Sequence, residues 1–380
     1  YINIEEDSYR SPLHGDGYNL KGVLYSYDTR YFNFNVQNIL SYDANFDLHN
    51  LSASLIQEAY KSDMRRVGGS GNVVGSTTLQ TLDSFIIPRT AVGNQEVNTR
   101  GGYAATFHYD YNRMFLLDLS GRRDAVSNFW PDKKVGYFWS AGVGVDFARL
   151  NFVKSVDFIS QFKLSSSFGV LGNLPNKDVI PYSLYRYSEN YGDAAGGVVR
   201  GVDNPDLLWE TVKPFNVQLD LGFLRDRITL TAAYYNKNSS NVIFDIPLSM
   251  AQGGYTVIGG TAYARKFINV GNMTNAGFEV GMNAKIINSK DFKWSLGANI
   301  STLDNKVTKL FGGNDIISGT RILREGEVAN AFYLRKWAGV DASNGKPLWF
   351  VNGVDGATTS NYNEAKLAVQ GSPYAKIFGG

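Results

Sequence analysis

Polar and apolar residues alternate along most of this chain, in runs too long for an ordinary compact sheet. In the clearest case Phe215, Val217, Leu219, Leu221 and Phe223 alternate with Asn216, Gln218, Asp220 and Gly222. After a three-residue turn, Leu224-Arg225-Asp226, the residues Ile228, Leu230, Ala232 and Tyr234 alternate with Arg227, Thr229, Thr231, Ala233 and Tyr235. Successive strand side chains point to opposite faces, so each run has one apolar and one polar side. Runs of about ten residues are what a tilted strand needs to cross the hydrocarbon core of a bilayer. One such hairpin fits a soluble β-sandwich equally well. Repetition separates the two readings: Phe32 to Val36, Phe115 to Leu119, Trp139 to Phe147, Phe162 to Val170, Phe278 to Ile286 and Trp294 to Ile300 follow the same rule. Strands of a compact sandwich average about five or six residues.

The pattern predicts consecutive antiparallel strands at 31–42, 46–60, 99–109, 113–123, 134–147, 157–169, 209–223, 227–236, 275–288 and 292–304. On these strands Phe215, Leu219, Ile228, Leu230, Phe278 and Trp294 are expected to face lipid. Gln218, Asp220, Arg227, Thr229, Glu279 and Asn283 are expected to face the lumen. Short connections, such as Asp43-Ala44-Asn45 and Asp110-Tyr111-Asn112, alternate with long ones at about 61–98, 122–134, 171–208, 237–274 and 304–373. Outer-membrane barrels have short periplasmic turns and longer external loops. The expected fold is therefore all-β, with 1–380 forming a transmembrane barrel wall and the long loops lying outside the cell. The strand number fits a closed small barrel and part of a larger one alike.

Composition adds detail. The 40 Gly, 23 Tyr, 23 Phe and 6 Trp suit turns, close strand approach and the membrane–water boundary. No stretch nears the roughly 20 apolar residues of a spanning helix, as expected when apolar residues occupy every second position. A net charge of +2 without a basic, aromatic-studded patch points away from nucleic acid. The absence of cysteine excludes a disulfide scaffold and a thiolate metal site. The chain opens on Tyr1 with no signal peptide, so an internal segment of a longer secreted polypeptide is expected.

Candidate chemistry is sparse. His49 and His108 sit near strand ends among Asp, Tyr and Asn, and read as satisfied polar residues rather than metal ligands, which need tighter clustering. Val351-Asn352-Gly353-Val354-Asp355-Gly356 has Val and Gly where a calcium loop needs Asp or Asn, and reads as a turn. Gly142-Val143-Gly144 has no helix after it, and Glu5-Glu6 reads as loop sequence with nothing to hold a catalytic dyad. No nucleophile–base arrangement is present, so neither an enzyme nor a cofactor is expected. The loop 171–208 differs: Tyr182, Tyr185, Tyr187 and Tyr191 lie close together with Arg186. Such rings suit an external solute site. They suit packing of the loop on its neighbours, or contact with a partner protein, equally well.

Several longer stretches occur in a fixed order. Asn38 to Leu51, with Tyr42, Phe46 and His49, comes first, and Ser167-Phe168-Gly169-Val170-Leu171-Gly172-Asn173 closes a later strand. Asn204-Pro205-Asp206-Leu207-Leu208-Trp209-Glu210 precedes the hairpin described above. Asn269-Val270-Gly271 through Asn275-Ala276-Gly277-Phe278-Glu279, Phe292-Lys293-Trp294 through Asn305-Lys306-Val307, Gly339-Val340-Asp341 and Gly371-Ser372-Pro373 follow, with Gly379-Gly380 at the end. Together they resemble the SusC/RagA family of TonB-dependent outer-membrane transporters from Bacteroidota. Asp124-Ala125-Val126-Ser127-Asn128-Phe129 and Phe138-Trp139-Ser140 depart from that family's loop motifs. The resemblance implies a barrel of about 22 strands around a plugged lumen. It places a plug domain and TonB box before Tyr1 and further strands after Gly380. It also implies TonB-dependent import of oligosaccharides or oligopeptides, with a SusD-like lipoprotein over the external face. The readings from other classes are a passive porin and a soluble β-sandwich binding module.

Overall fold

The computed structural model describes residues 1–174, 182, 184–191, 194–201, 203–248, 256–258 and 261–380. At 89, 184–191, 194–201, 245, 247–248, 256–258 and 261–265 only the backbone is described. The first strands are β1 (Ile2–Arg10), β2 (Val23–Phe46), β3 (His49–Val74), β4 (Phe85–Tyr111), β5 (Phe115–Val126), β6 (Val135–Asp146) and β7 (Ile159–Asn173). A separate hairpin, β8 (Leu184–Tyr191) and β9 (Ala194–Gly201), precedes β10 (Glu210–Phe223) and β11 (Ile228–Leu248). Next come β12 (Thr256–Ile258), β13 (Thr261–Asn288), β14 (Lys293–Thr302) and β15 (Asp304–Leu310). Short strands finish the chain: β16 (Ile316–Ser318), β17 (Arg321–Leu323), β18 (Ala331–Leu334), β19 (Trp337–Val340), β20 (Pro347–Phe350), β21 (Thr358–Thr359), β22 (Ala368–Gly371) and β23 (Ile377–Gly379). The main sheet has the hydrogen-bonded order β1-β2-β3-β4-β5-β6-β7-β10-β11-β13-β14-β23.

Each strand anticipated from the alternation is present, and several are much longer. The segment 237–274, expected as a long loop, holds the end of β11 and the start of β13, paired from Lys237↔Asn275 to Leu248↔Ala264. In the same way 61–98 holds the end of β3 and the start of β4. Asn236, Lys237, Asn238, Ser239 and Ser240 put polar side chains on both faces. Backbone pairing does not require alternation where neither face meets an apolar phase, so these extensions lack the signal that marked the rest. Glu5 and Glu6 lie in β1 rather than in a loop, paired with Asp28 and Tyr27. The segment 304–373 is folded too. Val307, Leu310, Leu323 and Ala329 form a small core against Phe244, Met273 and Ile316. Val351 to Gly356 is a turn, with Asn352 Oδ1 accepting from the amides of Val354 and Asp355 at 2.8 and 2.9 Å.

The chain divides into two compact units. Unit 1 is Tyr1–Leu40, Ile56–Tyr103 and Asp124–Asn128; unit 2 is Ser41–Leu55, Ala104–Arg123 and Phe129–Gly380. In unit 2 the register sorts the side chains. Leu164, Leu219, Ala232, Val280 and Ile300 follow one another across five strands. Phe278 and Trp294, 59% and 51% exposed, lie on the same apolar face. A contiguous apolar face of this extent marks an interface with an apolar phase. Ring pairs stand at its two margins: Trp139 with Phe168 and Tyr234 with Phe278 at one, Phe147 with Phe162 and Phe158 with Phe223 at the other. Leu224, Arg225 and Asp226 close the β10–β11 turn with three successive left-handed φ values of 54°, 59° and 57°. Ser160 holds this turn, its Oγ donating to Asp226 Oδ1 at 2.7 Å and accepting from the Asp226 amide at 2.9 Å.

Candidate functional site

The face opposite the lipid-like one is built from small and hydrogen-bonding residues. Gly144↔Ser165↔Gln218↔Ala233↔Glu279↔Ser301 form one cross-strand row. Lys163↔Asp220↔Thr231 and Thr229↔Asn283 lie in adjacent rows of the same face. Gln218, Asp220, Thr229, Glu279 and Asn283 are therefore brought together, on the side away from Leu219 and Phe278. Asp220 is oriented by Thr231 Oγ1 and by Gln218 Nε2, each donating at 3.0 Å. Arg227 behaves differently: its guanidinium donates to the carbonyls of Lys285 and Ile286 at 2.9 and 2.6 Å, tying down the strand end.

Where Gly142, Gly144, Ser165 and Ser167 meet, the small side chains leave a depression of about 250 Å³, rimmed by Asp118, Lys163, Asn216 and Gln218. Asp118 and Lys163 were not singled out from sequence, although the alternation in β7 already put Lys163, Ser165 and Ser167 on one face. Asp118 also contacts His108, its Oδ1 lying 2.6 Å from Nδ1, while His49 Nδ1 lies 2.7 Å from the Tyr109 hydroxyl. Both imidazoles have polar partners. Among the described residues no group of three or more His, Cys, Asp or Glu side chains is placed to hold a metal ion.

A second construction stands at the base of the aromatic loop. Trp209 stacks on fully buried Phe129 with centroids 5.1 Å apart, meets Phe138 edge-on, and donates through Nε1 to the Lys133 carbonyl at 3.0 Å. Asn204 Nδ2 donates to the Phe267 carbonyl at 2.7 Å. Glu210 accepts from the Ile243 amide at 2.7 Å and from Asn173 Nδ2 at 2.6 Å. Asn269 Oδ1 accepts from the Leu208 amide, and Nδ2 donates to the carbonyls of Leu208 and Asn241. Two glycines of the neighbouring motif permit close backbone approach. A Cβ on Gly271 would lie 1.8 Å from the Lys309 carbonyl oxygen, and one on Gly277 would lie 2.0 Å from that of Thr302. The Asn-Pro-Asp-Leu-Leu-Trp-Glu run is thus a clamp joining β7, β10, β11 and β13. Tyr182 packs against Trp130 at 4.7 Å, with its hydroxyl 3.4 Å from the Phe129 carbonyl. The side chains of Tyr185, Arg186, Tyr187 and Tyr191 lie outside the described residues.

A two-faced wall of long antiparallel strands, with ring pairs at both margins of the apolar side, is a barrel construction. The family model described as "TonB dependent receptor-like, beta-barrel" matches residues 3–374. The chain belongs to this family. It is a segment of an outer-membrane receptor barrel, in a family of receptors rather than enzymes. It is 29% identical over 354 residues to the TonB-dependent receptor SusC of Bacteroides thetaiotaomicron, covering 87% of this chain and 33% of that protein. To TonB-dependent receptor P3 of Formosa agariphila it is 27% identical over 325 residues, covering 80% and 31%. The barrel segment also matches a structure of the RagAB peptide transporter at a TM-score of 0.82 and 24% identity, over 94% of this chain and 40% of that one. That last likeness concerns the fold. The chain spans about a third of the length of the curated relatives it matches.

Proposed function

We propose that the full-length receptor imports oligosaccharides or oligopeptides across the outer membrane, driven by TonB, with a SusD-like lipoprotein over its external face. The observation that carries this reading is the division of the wall into an exposed apolar face and a face of Ser, Gly, Asn, Gln and paired charges. Gln218, Asp220, Thr229, Glu279 and Asn283 then line a watery lumen, and Arg227 secures its rim. Such a wall holds solute but has no means of using energy, so coupling belongs to a plug and TonB. The peptide or glycan enters past the loop based on the Trp209 clamp. Tyr182 anchors that loop, and Tyr185, Arg186, Tyr187 and Tyr191 touch solute from it. The folded segment 304–373 offers a firm docking surface for the lid, with Trp337 exposed beside Trp349 and Tyr362.

The test is uptake by cells carrying the full-length receptor. Uptake should stop when TonB is deleted or the proton gradient is collapsed, while external binding persists. Full-rate uptake without TonB would favour a passive pore and defeat the mechanism.

A further inference from the structure

The outward side of unit 2 carries two cations at the height where hydrocarbon ends. The ring margin drifts across the sheet and so records the strand tilt. From Trp139, opposite Val170, it moves two residues to Phe168, level with Phe215, and two more to Tyr234, opposite Val217. Four residues over three strand-to-strand steps make about 14 Å along the strands against about 14 Å across them, a tilt of about 43°. Outer-membrane barrels tilt their strands by about 35–45°. The rings thus follow one level, and heights can be counted from it.

Lys213 stands two residues beyond Phe215, about 5 Å above that level. Counted from Leu219, six residues give about 15 Å of depth, half the hydrocarbon thickness. On β5, Arg123 shares the parity of Phe115 and Leu119, 47% and 43% exposed. Asp118 beside Gly142, and Ser120 beside Ser140, take the other face. This register sets Arg123 opposite Tyr137, which is 71% exposed and two residues beyond Trp139 on β6. One strand back along the drift, Arg123 is about 2 Å above the rings.

Both cations are exposed, and among the described residues neither has an ion-pair or hydrogen-bond partner. Between them at this height lie Tyr137, Val170 and Gly172, with no carboxylate. The nearby acids are placed elsewhere. Asp124 takes the inward parity and has a partner of its own. Asp132 pairs with Lys133, and Glu210 is taken up by the Ile243 amide and Asn173. Asp206 belongs to the clamp, which packs on Phe138 on the other side of β6. Asp304 and Lys306 face outward on β15, three strands from Lys213 and about 9 and 14 Å above the rings, where their charges offset each other. Arg123 and Lys213 therefore put a net +2 at the boundary. Asn238, opposite Lys213, accepts from Thr274 Oγ1 through Oδ1 at 2.8 Å, which leaves its Nδ2 free to donate.

We infer that Arg123 and Lys213 hold the phosphate of one outer-leaflet glycolipid between them, over β6 and β7. This goes beyond the import reading, because the site lies on the lipid side of the wall. A phosphate accepts several charge-assisted hydrogen bonds at once, and so matches a guanidinium fork together with an ammonium. Trp139 and Phe168, edge to face at 5.8 Å, stand just below to meet the acyl chains, and Tyr137 brings a hydroxyl to the sugar. The segments 171–208 and 237–274 leave the strands at this end. Longer connections are external in outer-membrane barrels, so the leaflet is the one built of phosphorylated glycolipid. A cation so near hydrocarbon is costly unless its head reaches the headgroup layer, which both long stems allow.

Native mass spectrometry of the full-length receptor in detergent tests this, with diphosphoryl lipid A, its dephosphorylated form, phosphatidylglycerol and inorganic phosphate as probes. Diphosphoryl lipid A should bind about tenfold or more tightly than the dephosphorylated form, and more weakly as salt is raised. Arg123→Gln and Lys213→Gln should each weaken it about fivefold, with Arg123→Lys restoring part because the fork is lost. Lys306→Gln, further out, should change it by less than about twofold. Heat-dependent gel mobility establishes that each variant keeps a folded barrel. Equal affinity for the two lipid A forms, or unchanged affinity in the double Gln variant, overturns the site. A loss in Lys306→Gln as large as in Lys213→Gln replaces it with diffuse surface charge. Phosphatidylglycerol binding as tightly as lipid A overturns the glycolipid assignment. Displacement of lipid A by millimolar inorganic phosphate makes the site one for a free anion and overturns the lipid assignment. Uptake plays no part in these readouts, so a failure of the import reading leaves the site standing.

Discussion

Leu219→Arg should be among the costliest single changes on the apolar face. Phe223, ringed with Phe158, and Phe215, paired with Phe168, bound the apolar part of β10, and Leu219 lies midway between them. The eight-residue interval is about 27 Å along the strand, or about 21 Å of depth at a tilt of ~40°. Leu219 therefore lies near mid-bilayer, between Leu164 and Ala232. An arginine there should cost about 2–4 kcal/mol. Leu230 pairs with Leu221 and Met282 in the next row towards the turn. Leu230→Arg should cost less, about 1–2 kcal/mol, because the penalty falls towards the interface. Ala233→Arg, on the polar face between Gln218 and Glu279, should stay within about 0.5 kcal/mol. Denaturant titration of the full-length receptor in phospholipid vesicles, followed by tryptophan fluorescence, measures all three. If Leu219→Arg costs no more than Ala233→Arg, or less than Leu230→Arg, the assignment of the lipid side is wrong.

Ser160→Ala removes the two side-chain hydrogen bonds to Asp226 in the Leu224–Asp226 turn while its backbone bonds remain, and should lower stability by about 1–2 kcal/mol in the same titration. Arg225→Gly relieves a left-handed residue worth about 1–2 kcal/mol against a glycine entropy cost of about 0.5–1, so a small net gain in midpoint is expected. Trp209→Ala should speed amide exchange in 204–210 and near 133 while leaving β10 and β11 protected at Leu219 and Ala232. The Asp341 carboxyl is held below the usual carboxylate range, first by the Ser343 hydroxyl and then by its amide. The 341–346 turn thus keeps this support above about pH 4 and loses it as pH falls further, which faster exchange of the Ser343 amide would report. Deleting parts of 304–373 should reduce co-purification of the lid lipoprotein without altering heat-dependent barrel mobility, and full recovery would remove that segment as the docking surface.

The alternation of Phe215 to Phe223 was readable because lipid and water impose opposite demands on successive residues. Past Tyr234 that demand ends, and the extension of β11 to Leu248 leaves no periodic trace. The clamp was visible as a motif in Asn204 to Glu210, but its partners Phe129, Lys133 and Asn173 are dozens of residues away and are joined only by register. Tyr182 shows the same limit. Its ring contact with Trp130 and its hydroxyl contact with the Phe129 carbonyl join residues more than fifty positions apart. The contact of Arg66 with the Tyr27 ring was equally hidden, since the two meet only once β2 and β3 are aligned.

The depression floored by Gly142, Gly144, Ser165 and Ser167 has a consequence for how this stretch of wall can change. At Gly142 and Gly144 there is no side chain to remove, and at Ser165 and Ser167 only a hydroxymethyl group. Substitution at the two glycines can only build inward. Variation at these four positions readily narrows the depression or adds a grip, and enlarges it by no more than the two hydroxymethyl groups. Accepting a bulkier solute would require a change of strand spacing or of what fills the space opposite, whereas excluding one needs a single methyl group.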